Sequence, residues 1–277
     1  MKKRNYFHIG IMVFKRMTLP YYQGAPAELA FFFLMSMVPI AIILGELLGI
    51  FSLSRELLID ILGDYVSVEI TETIAGFLIY TPSGAINAFF IFFALWAASK
   101  AQFSMMRITN YSFTGDPSGN GYFRERFRAI KTILITIFTL VFSLIILIYG
   151  EVILTILSSY VTGILGLTFK FDYIWLFFRW PIAMALYFLM VSYNYYVLPS
   201  ERLKFKAILP GSILASVGML LATWLYSFYI SRFANYDVLY GSLGAIIALL
   251  FWFYILGFIL VIGIQVNVVW AEMGKTE

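Results

Sequence analysis

The 277-residue chain contains no cysteine and a single histidine, His8, and only 12% of its residues are charged. The missing thiols exclude a disulfide framework, a cysteine-ligated iron–sulfur cluster and a thiolate zinc site. One imidazole in a polar N-terminal arm offers no ligand set and reads as a solvated side chain. A secretory leader is not expected either. The basic start, Lys2, Lys3 and Arg4, is followed by broken apolar stretches and a second basic pair, Lys15 and Arg16, with no small-residue cleavage motif before a long span.

Apolar surface is what the chain has in quantity. Hydrophobic residues make up 62% of it, with 28 Phe, 19 Tyr and 6 Trp. Soluble domains hold about 45–50% apolar and about 25% charged residues, so this composition specifies a membrane protein rich in interfacial aromatics. Crossing about 30 Å of hydrocarbon takes about 20 apolar helical residues. Six segments qualify, at 27–51, 86–107, 130–155, 174–198, 208–230 and 242–269. The expected fold is therefore an all-α membrane protein, with residues 1–277 forming one polytopic domain of six transmembrane helices.

Charge sets the orientation. The arm before span 1, the connection between spans 2 and 3, the connection between spans 4 and 5, Lys100 and Lys275 together hold fifteen Lys/Arg. The other side holds four: Arg55, Lys170, Arg179 and Arg232. Short basic connections stay cytoplasmic, so both termini are expected inside, in a multi-pass membrane protein. This asymmetry accounts for the net charge of +4 without a nucleic-acid partner. Outside, residues 52–85 carry Glu56, Asp60, Asp64, Glu69 and Glu72 against Arg55, with Leu58, Ile61, Leu62 and Tyr65 on another face. That pattern predicts amphipathic extracytoplasmic helices between spans 1 and 2. The stretch TGDPSGNG, Thr114 to Gly121, is a cytoplasmic turn cluster; it lacks the GK[ST] ending of a phosphate-binding loop.

Ionisable residues within spans are expensive, so their depth matters. Glu28 and Glu46 share a face of span 1, five turns and about 27 Å apart, one near each membrane surface. Lys100 lies about 20 Å from the outer end of span 2, at the depth of Glu28, so a Glu28–Lys100 pair is allowed. Snorkelling of Lys100 to the headgroups is the competing reading. Gln102, Asn194, Gln265 and Asn267 fall in the same inner zone, with Ser99 at its border. Amides in lipid need partners, so this concentration predicts a polar vestibule open to the cytoplasm, with Lys100 as a cavity residue. Arg107 lies nearer the surface and suits an anionic group. Near the outer surface, Glu46, Glu151 and Arg179 are candidates for an ion pair. Pro39 in the middle of span 1, in the stretch Ser36 to Pro39, predicts a kink that bares backbone oxygen to a cavity. Pro210 reads as a first-turn proline of span 5.

Four stretches resemble the YihY/virulence factor BrkB family of bacterial inner-membrane proteins, once labelled ribonuclease BN. AELAFFFLMSMVPIAIIL (Ala27 to Leu44) matches the family's first helix, and ALWAASKAQFSMMRITNYSF (Ala94 to Phe113) is similar to its second. LPSERLKFKAILPGSILAS (Leu198 to Ser216) follows its pattern of proline, basic loop and Pro-Gly. YGSLGAIIALLFWFYILGFILVIGIQVN (Tyr240 to Asn267) resembles its closing helix. The resemblance implies six membrane helices and a permease or envelope factor, with the ribonuclease label a mistake. Family-like positions are Ser36, Pro39, Lys100, Arg107, Pro199, Pro210, Gly211, Gly241, Ser242, Gly244 and Asn267. Lys100 stands where the family often has Arg, which keeps the charge and loses the planar fork.

The expected function is transport of a lipid or an anionic solute through a cytoplasm-facing polar cavity bordered by spans 1, 2, 4 and 6. Its candidate residues are Glu28, Ser36, Pro39, Lys100, Gln102, Arg107, Asn194, Gln265 and Asn267. No enzyme, metal or cofactor is expected. The cytoplasmic acids outside the spans, Asp116, Glu125, Glu201, Glu272 and Glu277, are scattered without metal-ligand spacing. The expected partners are membrane lipids, anionic ones included. Small residues such as Gly241, Gly244 and Ala248 permit close helix contacts within one chain or in a homo-oligomer. The alternative is a non-transporting envelope scaffold that binds a partner through its acidic outer helices.

Overall fold

A computed structural model describes residues 6–50, 85–139, 171–201, 203–233 and 244–275. Among the described residues there are seven helices and no strand. They are α1 (Tyr6–Met17), α2 (Pro20–Ile50), α3 (Ala85–Thr114), α4 (122–139), α5 (Phe171–Val197), α6 (Phe205–Phe233) and α7 (Gly244–Lys275). Helix is what long apolar runs must form if no water is there to satisfy backbone groups. Several helices outrun the apolar segments that mark them: α2 starts at Pro20 and α3 continues to Thr114. Hydropathy ends where charge begins, whereas a helix ends only where its hydrogen-bond ladder does.

Helix α6 begins at Phe205, so Pro210 lies inside it and not in its first turn. The basic run before Pro210 has the composition of a loop, but its last residues, Phe205 and Lys206, already belong to the helix. Pro181 likewise lies inside α5. Helix α2 continues through position 39, and α2 and α5 carry Glu46 and Arg179. Glu151 and most of the acidic connection, residues 51–84, lie outside the described residues.

Helix α2 packs along α3 and α7, α7 along α6, and α6 along α5, while α1 lies against α7. Among the described residues, one core cluster joins these helices. Leu29 of α2, Met106 and Ile108 of α3, Tyr195 of α5, Ile208 of α6 and Val261 and Ile264 of α7 are all buried there. The N-terminal ends of α2 and α6 and the C-terminal ends of α3, α5 and α7 are those that the charge asymmetry assigns to the cytoplasm. At α1, Ile9 and Val13 pack on Val269, and Arg16 donates two hydrogen bonds to the Glu272 carboxylate at 2.6 and 2.7 Å. The opposite stripe of α1, Phe7, Ile11 and Phe14, is exposed.

Elsewhere the outer faces are apolar. Ile213, Val217, Leu221, Trp224 and Phe228 form an exposed line down α6, and Ile246, Phe251, Tyr254 and Phe258 stand exposed on α7. Soluble monomers rarely expose apolar patches of more than a few hundred Å2, so these faces need a covering solvent other than water. Among the described residues, Phe205–Tyr226 and Ile246–Gly274 are each long and apolar enough to cross a membrane.

Candidate functional site

Helices α2 and α3 run in opposite directions, and each carries a stripe with helical spacing. On α2 the stripe is Glu28, Phe32 and Met35; on α3 it is Phe93, Trp96, Lys100, Phe103 and Arg107. Residues three or four apart share a helix face, so each stripe is charged at one end and apolar toward the other. The stripes meet at a half-open pocket of about 190 Å3 lined by Glu28, Phe32, Trp96, Lys100, Phe103, Ser104, Arg107, Tyr122 and Arg126.

Its charges are loosely engaged. Arg107 Nη1 stands 3.7 Å from Glu28 Oε1 with both side chains partly exposed, longer than the roughly 2.7–2.9 Å of a charge-assisted hydrogen bond. Glu28 therefore faces Arg107, with Lys100 on the same wall. The Lys100 ammonium lies 5.9 Å from the Phe32 ring centre, and no carboxylate among the described residues is within ion-pair distance of it. Arg126 is held more firmly. Its guanidinium stacks 4.2 Å from the Trp96 ring and donates through Nη2 to the Trp96 carbonyl at 3.0 Å. Burial lowers Arg126 from its ordinary value, with Tyr122 opposing, but an arginine stays protonated in proteins. Beside the pocket, burial pushes the Tyr21 hydroxyl up to about 12; Arg107 works against this and Glu28 adds to it. Tyr21 is thus neutral at physiological pH.

The predicted amides occupy a different place. Gln102 Nε2 donates to Asn194 Oδ1 at 2.9 Å, tying α3 to α5, and Asn194 Nδ2 donates to the Met190 carbonyl at 2.8 Å. Gln265 Nε2 donates to Ser112 Oγ at 2.8 Å, and the Tyr22 hydroxyl meets the same oxygen at 3.0 Å, joining α7, α3 and α2. Asn267 Oδ1 accepts the Gly211 amide at 2.7 Å, joining α7 to α6. All four amides are buried, and none lines the pocket. Ser36 is buried too, donating to the Phe33 carbonyl at 2.9 Å within its own helix. Of the sequence-derived candidates, the structure brings together Glu28, Lys100 and Arg107.

Below the pocket a polar clasp ties the α3–α4 and α5–α6 connections together. Buried Glu125 accepts from the Asn120 amide at 3.1 Å, Ser200 Oγ at 2.9 Å and Arg128 Nη1 at 3.2 Å. Arg128 also donates to the Leu198 carbonyl, and Asn110 Oδ1 accepts the Ser200 amide at 2.8 Å. Gly119, at a φ of +56°, passes so close that a Cβ there would sit 2.4 Å from Ser200 Oγ.

Arg126, Ser104 and the aromatic walls do not stand out in the sequence as site residues. Arg126 counts there as one more charge of a basic connection, because nothing local shows that α4 begins at 122 and brings it back onto α3. Trp96 and Phe103 do carry a signal, since they lie four residues before and three after Lys100.

The model of a family described as Virulence factor BrkB matches residues 13–277. Among curated relatives, a ribonuclease-like protein of Bacillus subtilis (strain 168), YfkH, is 29% identical over 258 residues, covering 92% of each chain. A UPF0761 membrane protein of Xanthomonas campestris pv. campestris (strain B100) is 35% identical over 79 residues, 28% of this chain and 19% of that one. One of Xanthomonas axonopodis pv. citri (strain 306) matches at the same identity and coverage. No solved structure matches.

Proposed function

The chain belongs to the virulence factor BrkB family, and on that premise we propose a six-span permease of the bacterial cytoplasmic membrane that accepts an anionic lipid or solute from the cytoplasmic side. The observation that carries this reading is the pocket between α2, α3 and α4. It holds Lys100 and Arg107 within the end of the molecule that the basic connections assign to the cytoplasm, with Lys100 lacking an anionic partner among the described residues. The six spans run through α2, α3, α4, α5, α6 and α7, of which α6 and α7 contain segments apolar enough by composition alone. The buried amides cross-link helices around this end and would hold the pocket's shape.

The name of the Bacillus relative raises ribonuclease activity. Our reading gives it little weight, because Glu28, Glu125 and Glu272 each face an arginine and, among the described residues, no three acids or histidines are grouped to hold a metal. A nuclease needs acids gathered on a metal or a general base free to act.

The test is mass spectrometry of what stays bound after gentle purification, comparing the native protein with Lys100→Ala. A specific anionic lipid or solute retained by the former and lost from the latter is the expected result. Identical, unselective lipid in both would return Lys100 to snorkelling and favour an envelope scaffold.

A further inference from the structure

We propose that the pocket between α2, α3 and α4 recognises the phosphate group of an anionic phospholipid whose acyl chains lie along α2 and α3. This rests on the permease reading for its membrane setting and names the ligand class for that site. Three cations and one acid line the pocket, an excess of two positive charges. Charge of one sign gathered in a cleft attracts counter-ions, and none of the described carboxylates besides Glu28 reaches it.

The donors are spread out. Lys100 and Arg107 stand seven residues apart on α3, about 10 Å along the axis, and Arg126 comes from α4. A planar carboxylate presents two oxygens in one plane, whereas a phosphate directs several oxygens apart and can meet donors from two helices. Ser104 gives a second, independent sign. It lies between the two α3 cations, is 1% exposed and lines the pocket, yet its hydroxyl has no hydrogen-bond partner. Arg126 Nε is likewise buried without a partner. Unsatisfied buried donors are uncommon in native proteins and call for an acceptor.

The shape of the groove separates a lipid from free phosphate. Phe32, Trp96 and Phe103 wall the pocket, and the same stripes continue into Phe31 and Met35 on α2 and Phe92 and Phe93 on α3, all exposed. The two stripes are charged at one end and apolar at the other, and the antiparallel run of α2 and α3 brings like ends together. Inorganic phosphate has no use for that apolar extension.

The experiment titrates full-length protein, stripped of lipid in an uncharged detergent, with dihexanoyl phosphatidic acid and with inorganic phosphate. Phosphatidic acid is expected to bind the more tightly by at least about tenfold, from apolar contact its acyl groups add. Lys100→Gln should weaken it about tenfold, as loss of a charge-assisted contact does, and Ser104→Ala about threefold. Lys131→Gln, an exposed charge outside the pocket, should change nothing. Lys100 is itself exposed, so its loss leaves the fold intact, and a thermal unfolding scan verifies this. Equal binding of inorganic phosphate, or equal responses to Lys100→Gln and Lys131→Gln, would overturn the inference. Flux through proteoliposomes is scored separately. Binding without flux would sink the permease reading and spare this one; flux indifferent to Lys100→Gln and Ser104→Ala would do the reverse.

Discussion

Gln102 and Asn194 show what a pair of buried amides does when water is absent. The Gln102 amide nitrogen is shared between Asn194 Oδ1 and Thr136 Oγ1, at 2.9 and 3.3 Å, so three helices meet at one side chain. Removing one partner strands the other, and leaving a buried donor unsatisfied costs about 1–3 kcal/mol. Asn194→Leu should therefore lower the thermal midpoint in detergent, while the double replacement Gln102→Leu with Asn194→Leu should recover most of the loss. A double mutant no more stable than Asn194→Leu alone would mean that the pair contributes through shape and not through its hydrogen bond. The depth of these amides is legible in the sequence, because polar residues in apolar runs stand out against their neighbours. Which way each side chain points is not. Gln102 follows Lys100 by two residues, which places them about 200° apart around a helix. Lys100 faces the pocket while Gln102 turns into the bundle, so depth alone merges a pocket wall with a set of structural cross-links.

At the scale of elements, the crossing of α6 and α7 is set by two glycines placed back to back. A Cβ on Gly211 would lie 2.0 Å from the Gly263 carbonyl oxygen, and one on Gly263 would lie 2.3 Å from the Tyr195 hydroxyl. Small residues let backbones approach closely, and here Asn267 uses that approach to take the Gly211 amide. Gly211→Ala meets backbone that cannot swing aside, so it should destabilise the protein by about 1–3 kcal/mol, the usual cost of overpacking. Gly24→Ala on α2, where nothing lies within 4 Å of the added atom, should be neutral or mildly stabilising. Thermal unfolding of both variants checks the contrast, and equal effects would remove the close crossing as the cause. Pro-Gly at 210–211 is visible in the sequence as a motif, and its partners are not. They come from a helix some 50 residues later, and only the crossing angle decides which glycine meets which. The same limit hides α4: its first turns are polar enough to pass for loop, yet they carry Arg126 and Arg128, which fasten α4 to α3 and to the end of α5.

For the molecule as a whole, two asymmetries are expected to coincide. Fifteen of the nineteen Lys/Arg belong to one side of the expected six-span topology, and the pocket and the Glu125 clasp lie at the helix ends nearest to them. Basic connections are held on the cytoplasmic side, so the pocket, the amide cross-links and the Glu125 clasp should all face the cytoplasm. The side assignment rests wholly on counting charges, a long-range pattern that needs no side-chain geometry, so it is an expectation from the amino-acid sequence alone. The chain's own composition supplies the means of checking it. With no native cysteine, each introduced thiol is the sole target of a membrane-impermeant maleimide. Ser118→Cys, in the exposed turn between α3 and α4, and His8→Cys, on the exposed side of α1, should react only after the membrane is opened. Ser67→Cys, in the acidic connection between the first two spans, should react in intact spheroplasts. Labelling of Ser118→Cys from outside would invert the molecule, placing the Lys100 pocket on the extracytoplasmic face and ending the case for uptake from the cytoplasmic leaflet. Labelling of Ser67→Cys from inside only would remove the crossing at α2 or α3 and with it the membrane setting that gives the two charged-to-apolar stripes their meaning.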